Sequence, residues 1–505
     1  MTNRKRFFLN GLLLSAVGIA IRSVSLIFNS YITHSIGAEG IGLFTLIGTV
    51  YSFAVTFATS GISLTTTRLV SGAIGEGKAG EVRGVLRSAV KYALIFSVAA
   101  SLVLLLFARY FAVYVLSDTR ATLPLRILAL SLVPIALSSV YSGYFVGVKR
   151  VARNAVVQVA AQFFKIIITV FFITRFAKYG VTAGICALAA SMTLTEICVF
   201  LVALFQFLLD KRKNLKKSKG EKSHFGEVSG MALPLALSAY VRSALLTLEH
   251  ILIPKRLYKK GESHEEALAS YGVLHGMALP ILLYPISPLS SFAGLLVPEF
   301  SESLARGENK RLSRLATEAL NTTLVYAVAT MVLLYVFSEE IGYTVYSSYD
   351  AGTYIALMAP VLPIMYLDHV TDSMLKGIGE HVYSMWVNIS DSLLSVILVW
   401  TLIPSLGIMG YGIVIMVMEG YNFLLSYLRL KKRVSFRIDF VKSFLFPLIA
   451  AFVSAVLSRK IFINAGARTI PVWLFLEILF AVCIFIAVYL MLSNVYIKIK
   501  TKAIE

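Results

Sequence analysis

Three cations of this chain, Arg22, Lys165 and Arg242, sit inside long apolar runs. A charge at such depth in hydrocarbon is costly, so it normally faces protein or a water-filled cavity. Guanidinium forks grip phosphate oxygens bidentately. Arg22 and Arg242, with Lys165, are therefore candidates to line a positive chamber for phosphate or pyrophosphate. The alternative is neutralisation by Glu196, Asp391 or Glu419 on neighbouring helices. Arg22 belongs to a stripe, Ser15, Gly18, Arg22, Ser25 and Asn29, spaced by 3, 4, 3 and 4 residues, which is one face of a helix. Ser25 and Asn29 thus join the candidate substrate-binding set. A second stripe runs Thr45, Thr49, Ser52, Thr56, Thr59, Ser63 and Thr67; hydroxyls at this spacing serve equally well to pack helices. Ser238, Arg242 and Glu249 repeat the pattern further along. Arg242 and Glu249 share a face but lie about 10 Å apart along it.

The carboxylates gather in the second half. Asp368 and Asp372, with His369 between them, are four residues apart and face the same way; Asp391 and Glu419 follow, and Glu196 stands in the first half. Such a set would bind Na⁺ or H⁺ and couple transport to an ion gradient; the alternative is a group of structural hydrogen bonds. Pro280, Pro285, Pro288 and Pro298 fall in one apolar run. Proline frees carbonyls and kinks helices, which makes Pro280, Pro285 and Pro288 a candidate bending gate, or else a set of static kinks. No phosphate-binding glycine loop, nucleophile elbow or zinc-protease motif occurs in a fitting context, so no catalytic residue, resident metal or cofactor is expected beyond a coupling ion. Cys186, Cys198 and Cys483 are spaced for neither zinc nor a disulfide framework.

The elements that carry these residues are membrane spans. The 505 residues are 58% hydrophobic and only 15% charged, with mean hydropathy +0.79, and so little charge excludes a water-soluble globule. About twenty mostly apolar residues cross a bilayer. That ruler marks about fourteen runs, at approximately 8–33, 41–67, 86–108, 122–147, 154–175, 181–209, 227–254, 271–298, 315–337, 352–376, 383–403, 407–429, 440–460 and 470–496. The basic N-terminus leads into a run that continues past Arg22 without a small-residue cleavage site, which predicts an uncleaved first helix. With that N-terminus cytoplasmic, 31 of the 47 Lys and Arg fall in cytoplasmic segments and 12 outside. This follows the positive-inside rule and places both termini in the cytoplasm. The net charge of +20 therefore fixes topology, and nucleic acid is not expected as a partner.

The two halves align at an offset of 230 residues: Gly42 on Gly272, Ser71 on Ser301, Gly77 on Gly307, Ala89 on Ala319, Val140 on Val370 and Gly147 on Gly377. Six crossings return a chain to its starting side, so the repeat is parallel. Two such bundles commonly enclose a central cavity and alternate its access by rocking. The expected organisation is a six-helix bundle over 1–210, a basic cytoplasmic linker over 211–226 and a second bundle over 227–430. Two additional spans and a cytoplasmic tail would occupy 431–505.

The segments IGAEGIGLFTL (36–46), GISLTTTRLVSGAIGEGK (61–78), SSVYSGYFVGVKR (138–150), LVPEFSESLARGENK (296–310) and DSMLKGIGEH (372–381) carry a family resemblance. The chain resembles the stage V sporulation protein B group of polysaccharide-type flippases. That group lies within the multidrug/oligosaccharidyl-lipid/polysaccharide exporter superfamily and is similar to lipid II flippases. The family often has proline where this chain has Ser63, and glutamine where it has Val146. The resemblance implies a non-enzymatic flippase of the bacterial cytoplasmic membrane. Its cargo would be an undecaprenyl-pyrophosphate-linked glycan or peptidoglycan precursor, moved by alternating access. Arg22 and Arg242 would engage the pyrophosphate, and the last two spans would form a groove for the lipid tail. Membrane lipids and cell-envelope biosynthesis proteins would be its partners. The rivals are a multidrug/cation antiporter of the same superfamily and a membrane-embedded glycan polymerase.

Overall fold

The structure, a computed structural model, describes residues 3–76, 80–214, 224–464 and 471–502. Among them every regular element is a helix. The main helices begin with α1 (Asn3–Thr59), α2 (Ile62–Gly75), α3 (Val82–Leu106), α4 (Thr122–Ala129), α5 (Leu132–Gly147) and α6 (Val151–Phe176). Next come α7 (Val181–Asn214), α8 (Phe225–Lys260), α9 (His264–Gly272), α10 (Ile286–Ala305), α11 (Asn309–Val336) and α12 (Ser338–Tyr346). The chain closes with α13 (Tyr349–Met358), α14 (Leu362–Gly377), α15 (His381–Leu406), α16 (Ile408–Arg433), α17 (Phe446–Asn464) and α18 (Pro471–Lys502).

Among the described residues twelve helices are long and apolar enough to span a bilayer, and thirteen if the bent pair Thr119–Ala129 and Leu132–Gly147 is one crossing. The expected class, an all-helical integral membrane protein, holds; fourteen is two more than the twelve continuous helices that pass this test. One of the twelve, Ser23–Gly75, is 53 residues long, about 80 Å at 1.5 Å per residue against a hydrocarbon core of about 30 Å. Its chain breaks at Gly37, where φ is 74° and ψ 175°, a conformation open only to glycine.

By contacts the chain forms two compact units, residues 35–272 and residues 1–34 with 273–505. These boundaries differ from those drawn along the repeat. In the first unit α2, α3, α5 and α7 share a core of Val85, Tyr92, Val140, Tyr144 and Phe145, all at most 2% exposed. Glycines let these helices touch: a Cβ on Gly143 would lie 2.5 Å from the Ser63 carbonyl oxygen, and one on Gly147 3.0 Å from Val70 and 3.1 Å from the Thr67 oxygen. In the second unit α10 packs on α14 and α11 on α17. There a Cβ on Gly377 would meet Phe300 at 2.6 Å and the Val297 oxygen at 2.9 Å. Thr67, Val70 and Gly147 are the 230-offset equivalents of Val297, Phe300 and Gly377.

The backbone repeats with the same offset. Ser117 and Ser347 are left-handed, at φ 60° and 54°, as are Lys149 and Gly379, at 59° and 86°. The residue after each left-handed serine caps the next helix: Asp118 accepts from the Arg120 amide and Ser348 from the Ala351 amide. Helices α5 and α14, and α6 and α15, start and end at equivalent residues. The internal repeat is therefore a structural one.

Candidate functional site

In the unit of residues 35–272, Arg242 is exposed and lies at the middle of α8, about 26 Å from either end. Its helix neighbours fix that face against the second half of α1: Tyr240 donates to the Phe57 oxygen at 3.1 Å, Ser243 to Thr56 Oγ1 at 3.3 Å and Thr247 to the Thr49 oxygen at 3.3 Å. Thus the Thr56 hydroxyl, from the hydroxyl stripe of the sequence, bonds helix to helix, whereas the Thr49 hydroxyl donates back to the Leu46 oxygen of its own helix at 2.8 Å. Glu249, two turns beyond Arg242, is buried. Lys165 on α6 is likewise exposed, and it lies within electrostatic reach of Glu196 on α7. Glu196 also acts on Tyr51, whose hydroxyl is 2.5 Å from Ser131 Oγ; Thr169 donates to Ser191 at 3.0 Å between the same two helices. Lys165 and Glu196 thus lie together; the sequence offers Lys165 as a chamber cation and, as the alternative, Glu196 as a carboxylate that neutralises it.

The described part of the stripe through Arg22 belongs to the other unit; the side chains of Ser15 and Arg22 lie outside the described residues. Ser25 is exposed. Asn29 donates to the Gly276 carbonyl at 2.6 Å and to the Tyr346 hydroxyl at 3.1 Å, and Ser23 is 2.8 Å from the Tyr284 hydroxyl. Asn29 therefore tethers α1 to the proline-rich segment. That segment runs from a π-turn at Val273–Ala278 through Leu279–Leu283 and turns at Tyr284 and Pro285 into α10. Pro280 lies within the continuous span His264–Leu283, and the Gly276 carbonyl four residues back, left without its N–H, is the one that accepts from Asn29; Pro285 caps α10 and Pro288 follows in its first turn, where a missing N–H leaves no bond unmade. Freed carbonyls find tyrosines instead: Tyr326 donates to the Pro285 oxygen at 2.6 Å and Tyr366 to the Leu282 oxygen at 3.2 Å. The sequence's single run 271–298 is two helices joined by this break.

Four carboxylates lie on three adjacent helices of the same unit. Asp372 pairs with Lys376 at 2.5 Å. Asp368 bonds Ser426 on α16 and interacts electrostatically with Asp372 and Asp391, and Glu419 interacts with Asp368 and Asp391. Oδ1 of Asp368 and Oδ1 of Asn422 are buried without a hydrogen-bond partner. Among the described residues no three His, Cys, Asp or Glu close on one point tightly enough to hold a metal ion together. Mutual repulsion of partly buried carboxylates favours uptake of a positive charge.

Clasps at the helix ends were missed by sequence reasoning. Asp210, 1% exposed at its side chain, holds Arg153 at 2.9 Å, Arg150, and the Tyr144 hydroxyl at 2.5 Å. Glu380 holds Arg429 and Arg433, each at 2.8 Å. The Arg429 hydrogen bond, reinforced by Arg433, keeps the Glu380 carboxyl below the usual range. Burial alone would raise Asp118, but hydrogen bonds from Arg120 outweigh it and hold it low; Arg120 also reaches Glu39 at 2.6 Å. The one signal available was the repeat, which puts Arg150 opposite Glu380.

Residues 8–304 match the polysaccharide biosynthesis protein family, and residues 261–401 match the MatE family. The chain is 26% identical to stage V sporulation protein B of Bacillus subtilis (strain 168) over 92% of its length and 91% of that protein's. It is similar in structure to the lipid II flippase MurJ in an inward closed conformation, with TM-score 0.72, 15% identity and coverage of 96% of this chain and 100% of that one. An inward-facing multidrug resistance transporter of the MATE family gives TM-score 0.68 at 17% identity, covering 83% of this chain and 98% of that one.

Proposed function

The chain belongs to the polysaccharide biosynthesis protein family of the multidrug/oligosaccharidyl-lipid/polysaccharide exporter superfamily, and we propose that it flips an undecaprenyl-pyrophosphate-linked glycan, a peptidoglycan precursor among the candidates. It is a multi-pass membrane protein of a transporter group, not an enzyme. The proposed site is the cytoplasmic membrane, with both termini inside and cargo moving from the inner to the outer leaflet. Cell-envelope biosynthesis proteins are its proposed partners.

The observation that carries the cargo assignment is Arg242, exposed at the middle of a bilayer-length helix. A guanidinium at that depth is costly against hydrocarbon and normally faces protein or water, and its fork suits a phosphate anion. Lys165 is the proposed second cation of the same unit, and Ser25 and Asn29, with Arg22 by resemblance, are proposed substrate contacts of the other unit. A cation antiporter places carboxylates against its substrate, so the basic side chain favours the anionic cargo. The carboxylates Asp368, Asp372, Asp391 and Glu419 are the proposed Na⁺ or H⁺ site, with Glu196 serving the first half. The break at Pro280, Pro285 and Pro288 is the proposed gate.

Reconstitution in proteoliposomes tests the reading. Leaflet reversal of a labelled polyprenyl-pyrophosphate glycan, with no movement of a quaternary-ammonium drug, is the expected result; the opposite selectivity would assign the chain to drug export.

A further inference from the structure

The end of α11 remote from its basic start at Lys310–Arg314 borders an open cavity of about 630 Å³, well within the ~300–1,000 Å³ of small-molecule sites. The cavity lies wholly within one unit and is lined by α11, α12, α13 and α17. Phe452, Val456, Arg459 and Lys460 contribute one face of α17, since residues three and four apart stack on a helix surface. That face grades from apolar to charged: Phe452 and Val456 are 57% and 45% exposed, and the cations follow at the helix end.

The rim carries both signs. Arg459 donates to Glu340 at 2.5 Å and to the Val336 carbonyl at 3.2 Å, and its side chain is still 36% exposed. Lys460 and Glu339 are exposed beside this pair. One Glu340 carboxylate oxygen has no hydrogen-bond partner. Tyr335 lines the cavity, and Tyr343, one turn along α12 from Glu339 and Glu340, stacks on Tyr349 at 4.9 Å; all three are more than half exposed, and tyrosines gather at headgroup depth in a bilayer.

We propose that this cavity is a phospholipid site that takes a zwitterionic headgroup with a primary amine, of the phosphatidylethanolamine class. The phosphate sits on Arg459 and Lys460, the ammonium donates to Glu339 and Glu340, and the acyl chains follow Phe452 and Val456 into the hydrocarbon. Two carboxylates on the rim oppose a pyrophosphate or a net anionic headgroup. A choline headgroup satisfies the charges but has no N–H to give the carboxylates. The assignment does not depend on the identity of the transported cargo.

The test is lipid titration of the purified full-length chain in detergent, read by native mass spectrometry with phosphatidylethanolamine, phosphatidylcholine, phosphatidylglycerol and undecaprenyl pyrophosphate as probes. The ethanolamine lipid is expected to bind most tightly. Glu339→Gln with Lys460→Ala is expected to weaken it about a hundredfold, about tenfold for each of the two charge-assisted contacts removed. Both substituted residues are exposed, and unchanged melting of the lipid-free variant shows that the fold survives. Equal binding of the choline or glycerol lipid, tighter binding of the pyrophosphate, or undiminished ethanolamine-lipid binding by the double variant would overturn the proposal.

Discussion

Gly42 and Gly272, equivalents of each other in the 230-residue repeat, pack face to face within one compact unit. A Cβ on Gly42 would stand 2.0 Å from the Leu268 carbonyl oxygen, and one on Gly272 2.2 Å from the Ala38 oxygen. Leu268 and Ala38 are also repeat equivalents. The contact is thus reciprocal, as at a two-fold interface, where residue i meets j and j meets i. Backbone, not a flexible side chain, fills the space that a methyl group would need.

Gly42→Ala and Gly272→Ala are therefore each expected to destabilise the protein by about 1–3 kcal/mol, the cost of overpacking a filled contact. Because both alter one crossing, the double variant is expected to lose less than the sum of the two. Thermal melting of the purified variants measures this.

The ion-pair clasps give a second prediction. Arg150 and Glu380 cap equivalent helices with opposite charges, and each finds its opposite at the end of the following helix. Asp210→Ala removes the shared partner of Arg150, Arg153 and the Tyr144 hydroxyl and is expected to cost about 1–3 kcal/mol, the range for lost hydrogen bonds to a charged group, since both arginines are partly exposed to water. In the more exposed clasp the loss from Glu380→Arg is expected to be recovered partly by adding Arg429→Glu. Melting temperatures of the single and paired variants report both effects.

The same groups set an acid limit. Glu380 and Asp118 both titrate below their usual values in the folded protein. Their stabilising contribution is therefore complete above the unfolded carboxyl pKa values of about 4 and is lost as pH falls through the lower folded values. Stability is expected to be insensitive to these two groups from pH 7 down to about 5 and to fall below about 4. Glu380→Gln is expected to flatten part of that fall, as read by melting across pH.

The carboxylate group on α14, α15 and α16 supplies the prediction on coupling. Asp368→Asn and Glu419→Gln are expected to leave the fold intact and to remove the stimulation of transport by an imposed Na⁺ or H⁺ gradient. Stimulation equal to wild type in both variants would remove these residues from coupling.

Much of the fold was legible in the chain because a bilayer allows few solutions: apolar length gives the spans, and basic loops give an expected orientation. The repeat was legible for a similar reason, since Gly147 and Gly377 are held by equivalent close contacts that admit no larger residue. The break between Leu283 and Ile286 was not, because hydropathy is continuous through Pro280–Pro288 and only Tyr326 and Tyr366, far along the chain, reveal which carbonyls are freed. Of the candidate site, the buried-depth charges were recognisable by type. Their partners were legible only in part: Glu196 stands among the carboxylates that could neutralise Lys165, but the tether of Asn29 to Gly276 and Tyr346 is a pairing no spacing rule contains.

Arg242 carries the central claim, and one measurement addresses it most directly. In proteoliposomes holding wild-type protein, Arg242→Ala or Arg242→Lys, the initial rate of leaflet reversal of a labelled polyprenyl-pyrophosphate glycan is compared at equal folded protein. The account predicts a loss of at least about tenfold for Arg242→Ala, one charge-assisted phosphate contact. It predicts a smaller loss for Arg242→Lys, which keeps the charge but not the fork. Reversal by Arg242→Ala at the wild-type rate would contradict it.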